Sequence, residues 1–391
     1  MQKKKLLLLS AIVLLGTNSY GQSFDSGEYV VSENITVTSG NGHQLNAGKN
    51  ETDITKVINT GDINVDGGTG VRLEKLKDSK GNNIFINKGT LTVNQKTGQG
   101  NTGIQVVKGE AINENTIIVN AGKYTSGMKA SGTEAKIDNK GILKIVGDEK
   151  NTSNGMLLEN GGKGTNNGII EVSKKAASGV GVKENSEMIN NGEIHIKEGG
   201  IGVNVAGEKG NFINNGTIMS SGNGSQGINI SKDGEVINNN LIKVDGANAT
   251  GVYVQGKSKE NINSGTFINE EKGTIEVSGN GAKGIYINTD VKPNISNKGN
   301  IKVSNDGIGV FFYQDVNKNE SKASFENSGI IEVSGYNSKT DVLSRGIYLN
   351  ASGEAKNLSG GTIVVKKGAL GVDINNKDAI FINEKDANII V

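Results

Sequence analysis

An asparagine returns every 24–31 residues along most of this chain, each time closing an apolar run and opening a turn. The thirteen copies are Asn59, Asn87, Asn113, Asn139, Asn166, Asn190, Asn214, Asn238, Asn269, Asn297, Asn327, Asn357 and Asn383. Two residues on stands, in most copies, Gly or Asn (Gly61, Gly89, Asn115, Gly192, Gly216, Asn240), and an alternating run follows, as in Ile63-Asn64-Val65, Ile170-Glu171-Val172 and Ile275-Glu276-Val277. Further on a Gly opens a second run: Gly103-Ile-Gln-Val, Gly227-Ile-Asn-Ile, Gly251-Val-Tyr-Val, Gly284-Ile-Tyr-Ile, Gly346-Ile-Tyr-Leu. A third run leads into the next Asn through Phe85, Phe212, Val236, Phe267, Ile295, Phe325 and Phe381. A fixed period of this size marks a repeat architecture and has to be settled before any local motif is read.

Alternation of β-branched residues with polar ones is the mark of half-buried strands. Three such strands per unit, joined by Asn/Gly turns, specify an all-β fold: a right-handed, single-stranded parallel β-helix of about 13 coils of 24–31 residues. Each strand then stacks on its counterpart one coil along, roughly 4.8 Å away. The apolar positions fill the interior, and the recurrent Asn forms an inward ladder whose amides bond coil to coil. Leucine-rich repeats share the period but need Leu at most apolar positions. Left-handed β-helices need a strict six-residue period, which is absent.

Residues 1–21 stand outside the repeat. Lys3, Lys4 and Lys5 precede an apolar run at 6–15 and then small or polar residues up to Gly21, the layout of a secretory signal peptide. Residues 22–52 read as a degenerate N-terminal capping coil (Val31, Ile35, Val37, Leu45), and 53–391 as the repeats. Spacing in 383–391 matches 269–277, so the repeats are read as ending mid-coil. Longer stretches at 72–83, 255–264, 313–324 and 336–345 interrupt the minimal turns; in solenoids such insertions form surface loops, often on the binding face.

The chain carries 42 Lys+Arg against 41 Asp+Glu. Without Lys3–Lys5 the balance is 39 against 41, a net charge near −2. Only Arg72 and Arg345 offer a guanidinium, so nothing here favours nucleic acid or an anionic membrane. There is no Cys, and an exported chain of this kind has no disulfide staples. Stability has to come from burial and backbone pairing.

The units Phe-Ile-Asn-Asn-Gly-Thr-Ile (212–218) and Gly-Asn-Gly-Ala-Lys-Gly-Ile-Tyr-Ile (279–287), with the signal-like N-terminus and the absence of Cys, carry a family likeness. Over roughly residues 30–391 the chain resembles passenger domains of autotransporter adhesins, in particular the Asn/Gly-rich surface proteins of fusobacteria and related anaerobes. The resemblance implies export, passage through an outer-membrane β-barrel translocator, and display at the cell surface or outside the cell. This chain departs from the family in lacking a C-terminal series of alternating strands of ~10 residues. A separate barrel, or a truncated remnant without function of its own, follows from that departure.

Three GxGxxG matches (Gly98 to Gly103, Gly222 to Gly227, Gly279 to Gly284) are read as turns, because each leads into a strand and a dinucleotide site needs a helix N-terminus. His43 and His195 are the only histidines, and His195 falls on an outward strand position. No cofactor or metal site is expected. The rival enzymatic reading, a β-helical polysaccharide lyase or hydrolase, needs clustered carboxylates on neighbouring coils. The outward phase of the Ile-x-Val run holds Asn64, Thr92, Glu171, His195, Met219, Lys243, Glu276, Lys302 and Glu332, which reads as scattered; Asp306, Asp315 and Asp341 lie near the late insertions. Tyr253, Tyr286 and Tyr348 share one outward phase, and with Tyr313 and Tyr336 they are the candidate contact surface for a host-cell or bacterial surface protein or glycan. Cross-coil packing is the alternative role for the same rings. In Phe311-Phe312-Tyr313, Phe312 alternates inward with Val310. The functional expectation is a non-catalytic adhesin or adhesin stalk.

Overall fold

The computed structural model describes residues 22–46, 48–75, 79–94, 100–121, 124–147, 153–173, 177–255, 263–288, 292–313, 323–337 and 342–391. No helix occurs among them, and the strands sort into three parallel sheets, the layout of a right-handed parallel β-helix. The signal-like segment 1–21 lies outside the described residues, as do 76–78, 256–262, 314–322 and 338–341 within the four insertions, including Asp315 and Asp341. Two compact units, residues 1–188 and 189–391, make up the chain.

In the N-terminal unit the Gly-opened strands stack from Gln22–Phe24 through Asn41–Asn46, Thr69–Glu74, Thr102–Val106, Ser126–Ser131 and Asn154–Glu159 to Ser178–Val182. The Asn-terminated strands stack from Gly27–Val31 through Ile54–Asn59 and Asn82–Asn87 to Lys163–Asn166, and the Ile-x-Val strands from Ile35–Val37 to Ile169–Val172. Residues 22–37 thus already place one strand in each sheet. In the C-terminal unit the same three stacks run to Ala369–Ile374, Ala379–Asn383 and Asn388–Ile390. One departure from parallel pairing occurs inside the last insertion, where Tyr336–Asn337 pairs antiparallel with Val342–Leu349. A short hairpin forms there because the extra residues let the chain double back before rejoining its sheet.

Register explains why the repeat tolerates such uneven lengths. Counterparts align residue for residue, Phe212 on Val236 and Phe267 on Ile295, so extra residues are expelled into turns, apart from a register shift between Asn263 and Thr266. The inward columns are dry: Phe85, Phe212, Phe267, Phe312 and Phe325 are fully buried, as are Val71, Ile104 and Met128. Packing identical faces at strand spacing places each apolar side chain on another, so burial alone sets the register.

The asparagine ladder fixes the corner. In the N-terminal unit the Asn59 Nδ2 donates to Asn87 Oδ1 (3.1 Å), Asn87 to Asn113 (3.0 Å), Asn113 to Asn139 (2.8 Å) and Asn139 to Asn166 (2.8 Å). In the C-terminal unit the ladder runs from Asn190 to Asn214, Asn238, Asn269, Asn297, Asn327, Asn357 and Asn383 at 2.7–2.8 Å. The second amide proton closes the turn, as Asn59 Nδ2 does on the Gly61 carbonyl at 2.7 Å. Every bond points the same way along the stack, and such aligned amides polarise one another. The Asn59 Oδ1 starts the ladder without a donor, because Val31 stands in the preceding rung. Glycine follows the Asn because the coils touch there: a Cβ at Gly89 would stand 1.9 Å from the Gly61 carbonyl oxygen.

Candidate contact surface on the aromatic face

The second position after each Gly points outward, and register lines these residues into a column. In the N-terminal unit it reads Gln44, Arg72, Gln105, Lys129, Leu157, Gly181. In the C-terminal unit it reads Asn204, Asn229, Tyr253, Tyr286, Phe311, Tyr348, Asp373. Four consecutive rings therefore occupy the outer face of the Gly-opened sheet.

The rings stack on one another. Tyr253 and Tyr286 lie with centroids 4.8 Å apart at 28°, Tyr286 and Phe311 at 5.2 Å and 40°, and Phe311 and Tyr348 at 5.3 Å and 30°. Rings lying flat on the sheet at that spacing would interpenetrate, so they stand on edge with their faces spent on each other. Offset stacking of this kind contributes about 0.5–1.5 kcal/mol per pair beyond the area it buries. What the column offers to a partner is ring edges. Tyr313 packs against the stack, 5.7 Å from Tyr286 and 6.1 Å from Phe311. The backbone of Tyr336 is in the hairpin, and its side chain lies outside the described residues.

Two cations flank the rings. Lys283 Nζ lies 5.9 Å from the Tyr286 centroid and 5.8 Å from that of Phe311, and donates to the Gly281 carbonyl at 2.8 Å. Burial lowers its pKa. The Arg345 guanidinium lies 4.8 Å over Tyr348, where its Nε donates to Asp373 at 2.6 Å. Tyr348 donates to Asn350 Oδ1 at 3.1 Å. An ammonium or guanidinium over a ring is attracted by its quadrupole, so the cations are held at the column's surface.

Sequence reading places Tyr253, Tyr286 and Tyr348 in one phase but leaves out Phe311, Lys283 and Arg345. Aligning Gly309-Val-Phe-Phe under Gly284-Ile-Tyr-Ile puts Phe311 in the gap between Tyr286 and Tyr348. Phe312, the other ring of the pair, is buried beside Val310.

The outward charges on the Ile-x-Val sheet are ordered rather than scattered. Lys243, Glu276, Lys302 and Glu332 alternate on successive coils and line a shallow groove with Ser278, Ser304 and Ser334. Alternation follows from pairing: Lys302 meets Glu276 at 3.8 Å, and Lys366 pairs with Glu332. His195 Nε2 lies 2.8 Å from Glu193. Asp306 is buried, with its backbone N–H on Ser344 Oγ at 3.1 Å. Among the described residues, no three His, Cys, Asp or Glu side chains converge as a metal site. Gly224 and Gly281, at φ +65° and +63°, sit in turns that lead into strands. No helix N-terminus is offered to a phosphate at either motif, and Gly98 of the third lies outside the described residues.

A solved structure, the crystal structure of a TibC-catalyzed hyper-glycosylated TibA fragment, is matched over 93% of this chain and 100% of that one, at 12% identity and a TM-score of 0.26. A superposition at that score carries no argument about function. No curated protein matches the chain. A family model described as the BigA third pectate lyase-like domain matches residues 127–317 and, in a second overlapping placement, 176–384. The β-helix is the fold that the resemblance to autotransporter passengers implies, and the chain belongs to the family of the BigA third pectate lyase-like domain.

Proposed function

We propose that this protein is a surface-displayed β-helix of the autotransporter-passenger kind that works by contact, as an adhesin or adhesin stalk, without turning over a substrate. The observation that carries the reading is the column Tyr253, Tyr286, Phe311, Tyr348, four consecutive rings at positions that hold no aromatic residue in the N-terminal unit. Aromatic residues are enriched where proteins meet partners, as are arginines. A rigid edge-on stack loses little entropy on docking, because its rotamers are already held by neighbours. The partner is a protein or glycan on a host-cell or bacterial surface, reached after export through an outer-membrane β-barrel.

The test is attachment of beads coated with the full chain to cultured cell monolayers and to an immobilised panel of proteins and glycans. Replacing Tyr253, Tyr286 and Tyr348 together by Ser should abolish attachment while the circular dichroism of the β-helix persists. Retained attachment in that folded variant would sink the assignment of the surface.

A second reading rests on the family description and on the Lys243–Glu276–Lys302–Glu332 groove. Lysines beside carboxylates on neighbouring coils could bind and cleave an acidic polysaccharide. Against it stands the pairing of both carboxylates with lysines at a half-exposed surface, Glu276 with Lys302 and Glu332 with Lys366. Incubation with polygalacturonate and other acidic glycans, followed for new chain ends, decides between the readings; turnover lost on Lys302→Ala would replace the first by the second.

A further inference from the structure

His43 is a titratable side chain set where the repeat calls for an aliphatic one. It aligns with Val71 in the coil that follows and with Gln22 in the coil that precedes. Its ring is 2% exposed, and neither Nδ1 nor Nε2 has a hydrogen-bond partner. Phe24 of the first coil lies edge-on to it with centroids 5.5 Å apart, and Tyr29 packs on Phe24 at 5.1 Å. The first coil is therefore what separates the imidazole from water at this end of the stack.

We propose that the first coil, residues 22–37, is an acid-released lid: protonation of His43 is incompatible with the closed coil and drives it to open. The geometry supplies the reason. An imidazolium needs two acceptors or bulk water, and the closed site provides neither. No charged group compensates from the packed elements. On Thr69–Glu74, Arg72 pairs with Glu74. On Gly27–Val31, Glu28 takes Lys56 of Ile54–Asn59 at 3.1 Å. Asp25 accepts from Asn46 Nδ2 at 3.3 Å. The side chains of Gln22–Phe24, Ile35–Val37 and Ile63–Val65 carry no charge. Burial alone lowers the His43 pKa from 6.5 to about 4.

The sign follows from that direction. The folded pKa lies below the unfolded one, so the open coil binds the proton more tightly; the closed coil is fully favoured above about pH 6.5 and loses ground as pH falls towards 4. With those two values the opening equilibrium rises about 10-fold by pH 5.5 and by more than 100-fold at pH 4. Opening this coil removes one layer of a solenoid whose remaining coils contact only their neighbours, so the loss stays local.

Hydrogen exchange of the full chain, corrected for intrinsic rates, measures this at pH 7.5, 5.5 and 4. Peptides within 22–46 should lose protection by those factors while peptides from the 154–159 and 178–182 strands hold theirs. His43→Val, which copies Val71, should flatten the pH response of the lid, and His43→Gln should do the same without an apolar gain. Asp25, Glu28 and Glu33 of the lid are the same in the wild type and in both variants. A wild-type lid whose protection does not change with pH, or variants that respond as the wild type does, would overturn the proposal.

Discussion

The outer column of the Gly-opened sheet differs between the two units while everything beneath it is the same. In the N-terminal unit the column runs Gln44, Arg72, Gln105, Lys129, Leu157, Gly181; in the C-terminal unit four consecutive positions are Tyr253, Tyr286, Phe311, Tyr348. Below both run equivalent inward columns, such as Val71, Ile104 and Met128 in one and Val252, Ile285 and Val310 in the other, all buried. Both carry the asparagine ladder at near-identical distances. The backbone is therefore indifferent to what its outer column holds. Stability is written in the inward positions and the ladder, and the capacity for contact in the outward ones.

Four sets of substitutions break or sharpen this contrast. The largest effect is expected from the shared core: Phe85→Ala in one unit and Phe212→Ala in the other should each cost about 3–5 kcal/mol, because a fully buried ring leaves a cavity that stacked coils cannot collapse. Denaturant unfolding of both variants checks it, and a several-fold disparity would show that the units are not equivalent. Next comes the ladder. Asn139→Ala and Asn238→Ala each strand a buried donor on the rung before and a buried acceptor on the rung after, at about 1–3 kcal/mol per orphan. Removing one stacked ring should cost less: Tyr286→Ser loses its contacts with Tyr253 and Phe311, about 1–3 kcal/mol from the two pairs, whereas Gln105→Ser at the matching N-terminal position stays within about 0.5 kcal/mol. Smallest is a gain. Val31→Asn gives the Asn59 Oδ1 the donor it lacks and should stabilise the first coils by about 1 kcal/mol, visible as slower hydrogen exchange there.

Much of the fold was legible because the repeat is a direct image of it. Asn59 and its twelve counterparts mark one corner, and period-2 alternation marks which side chains go in. The partial reading of the surface has a different cause. Phe311 was left out of the surface because only tyrosines were collected at that outward phase, although Phe312 and Val310 on either side alternate inward; register puts it between two tyrosines. Lys283 and Arg345 escaped because a cation over a ring depends on side-chain reach, which spacing does not encode. His43 escaped for the opposite reason: a polar side chain in the inward phase of Leu45 does not look like core until register sets it against Val71. The alternating Lys243, Glu276, Lys302 and Glu332 looked scattered until the coils were aligned and opposite charges fell on successive coils.

The central claim is that the outer aromatic column makes the contact and that the scaffold below is neutral to it. Its most direct test is a paired swap in the full chain, measured as bead attachment to cell monolayers with thermal unfolding alongside. One variant carries Tyr253→Gln, Tyr286→Gln and Tyr348→Gln; the other carries Gln105→Ser and Lys129→Ser at the same outer phase of the N-terminal unit. The account predicts that the first variant folds and no longer attaches, while the second attaches as the wild type does. Equal attachment by both, or loss in the second alone, would contradict it.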